Sequence, residues 1–477
     1  MDRMIKTKII ATVGPACNKV DAIGAMMDNG VDVFRLNFSH GTLDDHARFL
    51  DALNAARAGH PHTTAVIGDL CGPKIRTAEI RPDGQVLNVD DEITITADPN
   101  DGAPARFGTN YPDFLRDVAV GHRVFIDDGA IALRIVEKRD DEIVCRVLAG
   151  GPLHSRKGIN LPDTDISAPS ITERDWQCVN WAIDRKLEFL ALSFVRTAEE
   201  IRQLKDYIAR AGSDIKVIAK IEKPQAVDHL EAIVQASDVV LVARGDLGVE
   251  MDLAEVPLIQ KRITRLCRRF GTPVIVATQM LQSMIEAPTP TRAEVSDVAN
   301  AIMDFTDAVM LSGETAVGKY PVEAVRAIRR IARVTEAWLD TLDGLRPKIE
   351  TADELATAAA MARAVAQLVD DIAPRLVAAW SQTGAAARLL SKARIDVPVL
   401  AFSTSDRVCK QMCLHYGVIP RCAPVPDNFD EFTGLADRIA LEHRWVRPGD
   451  KIVLVAGSPL GASRTTNAIM VHDVPGA

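Results

Sequence analysis

The sequence predicts an α/β protein: a (β/α)8 TIM barrel with an inserted all-β lid domain and a C-terminal α/β domain. Three observations predict it. Eight short apolar runs alternate with amphipathic segments of helical period, the pattern of a parallel sheet under covering helices. The alternation breaks once, over 73–168, where short strand-like pieces replace the expected helix. It changes again from Asp340 onward. The implied organisation is barrel over 1–72, lid over 73–168, barrel again over 169–339, and a C-terminal domain over 340–477.

In order, the barrel runs are KIIATVG (8–14), VDVFRLN (31–37), TAVIGDL (64–70), EFLALSF (188–194), KVIAKIE (216–222), DVVLVARG (238–245), PVIVATQ (273–279) and DAVMLSG (307–313). Between the fourth and fifth lies 197–212, with Ile201, Leu204, Tyr207 and Ile208 at helical spacing and Gly212 as its stop. Segment 321–339 reads as the closing helix. The inserted segment carries IRTAEI, GQVLNV, EITITA, HRVFID, IALRIVEK and EIVCRVLA, several of them separated by Asp-Gly turns. An insertion of that length is expected to fold on its own. Helices over 353–369 and 384–394 then alternate with strands over 375–380, 397–403 and 450–457.

Composition narrows the function. The chain has 477 residues, 47% apolar and 25% charged, as in ordinary globular proteins. Its formal net charge of −9 argues against nucleic-acid or anionic-membrane partners, which need a basic surface. A small anion can still find a local basic pocket. No apolar run approaches the roughly 18 residues needed to span a bilayer, and Met1 to Lys8 lacks the apolar stretch of a secretory signal. The eight cysteines show no zinc spacing, so reduced, structural thiols and a cytoplasmic location are expected.

Barrel enzymes work at the C-terminal ends of their strands. Those ends carry Arg35, Asn37, Ser39 and His40; Asp69; Lys220 and Glu222; Arg244 and Asp246; Thr278; and Ser312 and Glu314. Residues i and i+2 of a strand share a face, which points Lys220 and Glu222 the same way. Any one of these charges fits a structural ion pair. Their convergence at one end would be costly in a plain core. Glu222 and Asp246, on neighbouring strands, suit Mg²⁺ with water and substrate oxygens. Lys220 and Arg35 supply fixed positive charge, so the set suits phosphoryl transfer.

The sequence resembles the pyruvate kinase family. The strings that carry the resemblance are RLNFSHG (35–41), GPKIRT (72–77), KGINLP (157–162), AKIEKP (219–224), VARGDLGVE (242–250), ATQMLQSMI (277–285), PTRAEVSDVANA (290–301) and MLSGETAVGKYP (310–321). The resemblance implies Mg²⁺ (or Mn²⁺)-dependent transfer of a phosphoryl group from phosphoenolpyruvate to ADP, giving pyruvate and ATP. It implies Glu222 and Asp246 as metal ligands, Lys220 and Arg35 on the phosphoryl group, and Ala243, Gly245 and Thr278 around the substrate carboxylate. Thr278, Ser312 and Glu314 would lie where the enolate is protonated. Pro15, Asn37, His40, Arg76 and Lys157 would meet the nucleotide under a closing lid. Family members are usually tetrameric, which implies a homotetramer.

Two departures carry expectations. After the third strand the family's commonest string is Asp-Thr-Lys-Gly-Pro-Glu-Ile-Arg; here it is Asp69-Leu70-Cys71-Gly72-Pro73-Lys74-Ile75-Arg76. Many members hold K⁺ at positions matching Asn37, Ser39, Asp69 and the carbonyl of Leu70. Lys in place of that Glu is associated with K⁺ independence, because an ammonium supplies the charge that K⁺ otherwise brings. Activity without K⁺ is therefore predicted; the plainer alternative is a Lys74 paired to Asp69. In the C-terminal domain the family's effector loop matches Ser381, Gln382, Thr383, Gly384, Ala385 and Ala386, with one hydroxyl fewer than is common. Ser458, Gly461, Ser463 and Arg464 could complete a site for a phosphorylated effector; the alternative is a domain with no small-molecule effector. Two other readings compete. A Mg²⁺-dependent lyase would not need a nucleotide-binding lid, and an inactive relative would be expected to lose one of Lys220, Glu222, Asp246 or Thr278.

Overall fold

Eight parallel strands close into a barrel in the computed structural model, which describes residues 4–81, 83–98, 101, 103–342, 349–350, 355–461 and 466–476. They are Lys8–Thr12, Val31–Asn37, Ala65–Asp69, Phe189–Leu192, Lys216–Ile221, Val239–Ala243, Val274–Ala277 and Ala308–Leu311. Each lies inside one predicted run. The last pairs with the first, Lys8 opposite Ala308, and seals the ring. Both faces are buried, which is why the runs are almost continuously apolar. Ile10, Val33, Ile67, Ile218, Leu241 and Met310 fill the interior. Their neighbours Ile9, Phe34, Val66, Val217, Val240 and Val309 pack outward on the helices.

The helix Ala198–Arg210 buries Ile201, Leu204 and Ile208, and Pro321–Leu339 is the closing helix. Gly212 takes a φ of +69°, the left-handed conformation that lets the chain turn off its helix.

The insertion forms a six-stranded sheet and a separate two-stranded ribbon around its own apolar core, which includes Ile93, Phe107, Leu133 and Val147. One expectation is corrected. IRTAEI is not a strand; it makes only isolated bridges, Arg76 to Gly158 and Thr77 to Thr109, because it is the crossing from barrel to lid. Strands Arg106–Gly108, Gly151–Leu153 and Ile159–Asn160 are too short to show a period.

The C-terminal sheet has five strands, ordered 418–422, 399–403, 376–380, 451–456 and 468–473, the last antiparallel. The helices expected over 353–369 and 384–394 are Ala356–Ile372 and Ala385–Lys392. This domain meets the barrel floor, the N-terminal ends of its strands. There Asp307, fully buried, takes Lys392 at 2.8 Å and Arg394 at 3.0 Å.

Candidate active site at the barrel mouth

The opposite end gathers a different set of charges. Lys220 Nζ lies 2.9 Å from Glu222 Oε1 and 3.3 Å from Asp69 Oδ1, and donates to Ser193 Oγ at 2.8 Å. Arg35 Nε donates to Asp69 Oδ2 at 2.7 Å, and its Nη1 donates to Thr12 Oγ1 at 3.1 Å. All four charged groups are at most 9% exposed or, for Lys220, half-buried. Burial alone would push Lys220 toward its neutral form. Asp69, Glu222 and Asp246 outweigh that and hold its pKa above the ordinary lysine value. Burial also works against the Asp69 carboxylate, yet Lys220 and Arg35 keep its pKa below the usual range.

Glu222 feels the opposite balance. Burial and the nearby Asp246 raise its pKa, against the pull of Lys220 and of the Phe194 N–H, which donates to Oε2 at 2.7 Å. The pair's cation is the firmer of the two charges: three carboxylates act on Lys220, while Glu222 shares that one amine. Asp246 sits in the first turn of the short helix Arg244–Glu250, and its carboxylate has no hydrogen bond or ion pair among the described residues. Two neighbouring carboxylates that repel one another, one of them unpartnered, fit a divalent cation. No trio of His, Cys, Asp or Glu forms a cage among the described residues.

Strand alternation explains less of this than expected. Glu222, Thr278, Ser312 and Glu314 all lie just past their strands, and local turns aim them. Thr278 has a φ of +70°, a strained conformation for a β-branched residue costing roughly 1–3 kcal/mol. Its hydroxyl accepts the Gly245 N–H at 2.8 Å, so the amide expected to meet a substrate carboxylate is already engaged. Ala243 ends its strand and caps the helix. Arg244 turns away, to Asp297 at 2.6 Å and to the Thr278 carbonyl at 2.8 Å, and so pins the strained turn. Glu314 is buried and accepts the N–H groups of Leu281 (3.0 Å) and Ser312 (2.8 Å), tying the seventh and eighth strand ends together.

The rim is electropositive. His40 is exposed; its partial desolvation, then Lys74, Arg76 and Arg35, lower its pKa. Lys74 makes no ion pair among the described residues, and Asp69 is taken by Arg35 and Lys220; the Lys74–Asp69 pair is absent there. The other K⁺-site positions are also engaged. Asn37 Oδ1 accepts the Ser39 N–H at 3.2 Å, and the Leu70 carbonyl accepts Ser193 Oγ at 2.7 Å. Pro15 is exposed at the mouth. From the lid, Arg76 donates to the Arg156 carbonyl at 3.0 Å, and Lys157 pairs with Asp127 at 3.0 Å in the Asp127-Asp128-Gly129 turn.

Four residues that sequence reasoning missed complete the arrangement. Ser193 joins Lys220 to the third strand's end. Asn160 of the lid donates to Glu250 at 2.7 Å, and Glu250 holds Lys223 at 2.6 Å beside the space that Lys74 and Asp246 line. Only the string AKIEKP hinted at Lys223. In the C-terminal loop where an effector is expected, Ser381 is buried and accepts the Ala387 N–H, while Thr383 is exposed and Gly384 is left-handed. Ser458 bonds Asn467 through its backbone and Gly461 packs near Val425. Ser463 and Arg464 lie outside the described residues.

Fold and side chains together define an α/β barrel protein with charged groups of both signs gathered at the C-terminal face of its strands. Residues 4–325 match the model of the pyruvate kinase barrel domain, and 359–472 that of the pyruvate kinase alpha/beta domain. The chain is 39% identical to a pyruvate kinase of Mycobacterium tuberculosis over 98% of both chains. It is 40% identical to one of Corynebacterium glutamicum, over 99% of this chain and 98% of the relative. A crystal structure of a pyruvate kinase from Cryptosporidium parvum superposes with a TM-score of 0.90 at 32% identity, covering 99% of this chain and 96% of that one. The chain belongs to the pyruvate kinase family and is an enzyme of that family.

Proposed function

We propose that the protein transfers the phosphoryl group of phosphoenolpyruvate to ADP at the barrel mouth, with Mg²⁺ or Mn²⁺ held by Glu222 and Asp246. The single observation that carries this is the half-buried Lys220, ringed by Asp69, Glu222 and Ser193 and kept charged. When bound, the divalent ion supplies Lewis-acid stabilisation of phosphoryl and enolate oxygens. Lys220 offers its amine to the migrating phosphoryl group, and Arg35 lies beside it, both fixed by Asp69 before substrate arrives. Such preorganised charge costs no rearrangement at the moment of reaction. A substrate carboxylate meets the first turn of helix Arg244–Glu250, competing with Thr278 for the Gly245 amide. Thr278 and Ser312 border the enolate carbon, and Glu314 serves by positioning the turns that carry them.

His40, Arg76 and Lys157 form the nucleotide rim together with Pro15 and Asn37, and the lid closes over it through Asn160 and Glu250. K⁺ is not required in this reading. Lys74, unpaired among the described residues, adds a positive charge to the rim. The assembly is a cytoplasmic homotetramer, and a phosphorylated effector binds the loop around Thr383 and Ser458. A coupled assay for pyruvate from phosphoenolpyruvate and ADP tests the reaction. It compares native protein with Lys220→Met, with and without K⁺, a bulky cation holding ionic strength constant. Native activity in both conditions, lost in the variant, is expected; no pyruvate in either condition overturns the reading.

A further inference from the structure

The eight cysteines are all free thiols, and every one but Cys422 is buried or half-buried. Cys422 is exposed at the end of the C-terminal edge strand 418–422, where its register partner on the next strand is Ser403. The chain leaves that next strand at Ser403 and enters the short helix Asp406–Met412, which returns Cys409 to the same strand end. Cys409 Sγ donates to the Ser403 carbonyl at 3.8 Å, and Cys422 Sγ donates to the Thr404 carbonyl at 3.5 Å. Two sulfurs seated on consecutive carbonyls are neighbours, and they lie within hydrogen-bonding range of each other. A disulfide needs two side chains brought together in this way. Cys413, further along, donates to the Thr63 carbonyl of the barrel at 3.2 Å.

The pair is asymmetric. Cys409 is 1% exposed; burial, and then Cys422 and Asp406, push its thiol up to about 12, so it stays protonated and inert to oxidants in solution. Cys422 meets solvent. We infer that Cys409 and Cys422 form a dithiol that hydroperoxides oxidise to a disulfide, with Cys422 attacked first and Cys409 resolving it. The Cys422 thiolate attacks one oxygen of the hydroperoxide and the O–O bond breaks. The other oxygen takes up a proton and leaves as an alcohol, or as water from hydrogen peroxide, and Cys422 becomes a sulfenic acid. The Cys409 sulfur then displaces the sulfenic hydroxyl, which leaves as water with the Cys409 S–H proton, and the S–S bond forms. The two thiols give up two electrons and two protons, and the peroxide receives them. The bridge fastens to the edge strand a helix that grips the barrel floor, where Arg407 Nη2 donates to the Leu187 carbonyl at 2.9 Å and Gln411 Nε2 to the Asp214 carbonyl at 3.0 Å. It uses no residue of the barrel mouth, so its failure leaves the catalytic reading standing.

Hydrogen peroxide is the probe. The full chain is treated with a modest excess, its remaining thiols are alkylated, and it is digested without reductant for mass spectrometry. The expected product is a linked pair of peptides carrying Cys409 and Cys422, separated by dithiothreitol and absent in Cys422→Ser. In Cys409→Ser the Cys422 sulfenic acid loses its partner, and dimedone should trap it about threefold more than in the native chain, or better. A Cys422 that passes through oxidation unlinked, or a bridge from Cys409 to Cys413, overturns the inference. Mapping of the native chain decides the matter even where Cys409→Ser does not fold.

Discussion

The two ends of the barrel each set a lysine against acidic side chains, and they use it differently. At the floor, Lys392 and Arg394 share the single carboxylate of Asp307, which also accepts the Val274 N–H at 2.7 Å. Burial dominates there, and the Lys392 pKa falls below the ordinary lysine value. At the mouth, Lys220 faces three carboxylates, and its pKa rises. The floor cluster is closed by protein partners. Among the described residues the mouth keeps an unpartnered Asp246 and an Asp69 Oδ1 approached by Lys220 at 3.3 Å. A closed cluster joins two domains. An open one, with charge to spare in both signs, suits the ion and substrate proposed for it.

The comparison breaks if the mouth proves structural. Lys220→Met should lower kcat for pyruvate formation by about 10³-fold or more while circular dichroism stays native, because it removes charge aimed at the transition state. An unfolded variant, or one of near-native activity, would place Lys220 with Lys392.

The reverse holds at the floor. Asp307→Asn leaves two buried cations uncompensated and should cost roughly 3–5 kcal/mol in urea unfolding, with the activity of the folded fraction nearly unchanged. Asp307 also makes a pH signature. Burial opposes its charge, but Lys392 and Arg394 depress its folded pKa below the unfolded value. Its contribution is therefore complete above about pH 4, the unfolded value, and is lost as pH falls through the lower folded value. Asp307→Asn should flatten that acid limb of the stability curve; an unchanged limb would remove Asp307 from the account.

The rim gives a smaller effect. Lys74→Glu should lower the rate without K⁺ by about tenfold, the equivalent of about 1.4 kcal/mol, and K⁺ should restore it. Equal rates with and without K⁺ in that variant would show that Lys74 carries no weight. Asn160→Ala removes a hydrogen bond to a buried carboxylate and should raise the KM for ADP by about threefold with Tm unchanged. A shift in Tm alone would make that contact structural.

Much of this was legible in the chain. The barrel strands show because both of their faces are buried, so each is an almost continuous apolar run. The mouth residues show because charges at five of the eight strand ends are hard to explain as core. What stayed hidden depends on partners brought from afar. Nothing near Asp307 announces Lys392, 85 positions on, and nothing near Asn160 announces Glu250. Glu314 looked like a reacting group because its type and place fit one, while its two oxygens serve backbone N–H groups. The helix Phe429–Glu442 did carry a signal: Asn428 accepts the Glu431 N–H, a cap three residues ahead of an apolar stripe through Phe432, Ala436 and Ala440. The short lid strands carried none, since two or three residues cannot display a period.

The central claim is that Glu222 and Asp246 hold the divalent ion beside Lys220. Crystals soaked in Mn²⁺ and phosphoenolpyruvate, measured at the manganese absorption edge, test it most directly. The account predicts one strong anomalous peak touching both carboxylates, absent in Glu222→Gln; a peak elsewhere, or one that persists in that variant, would contradict it.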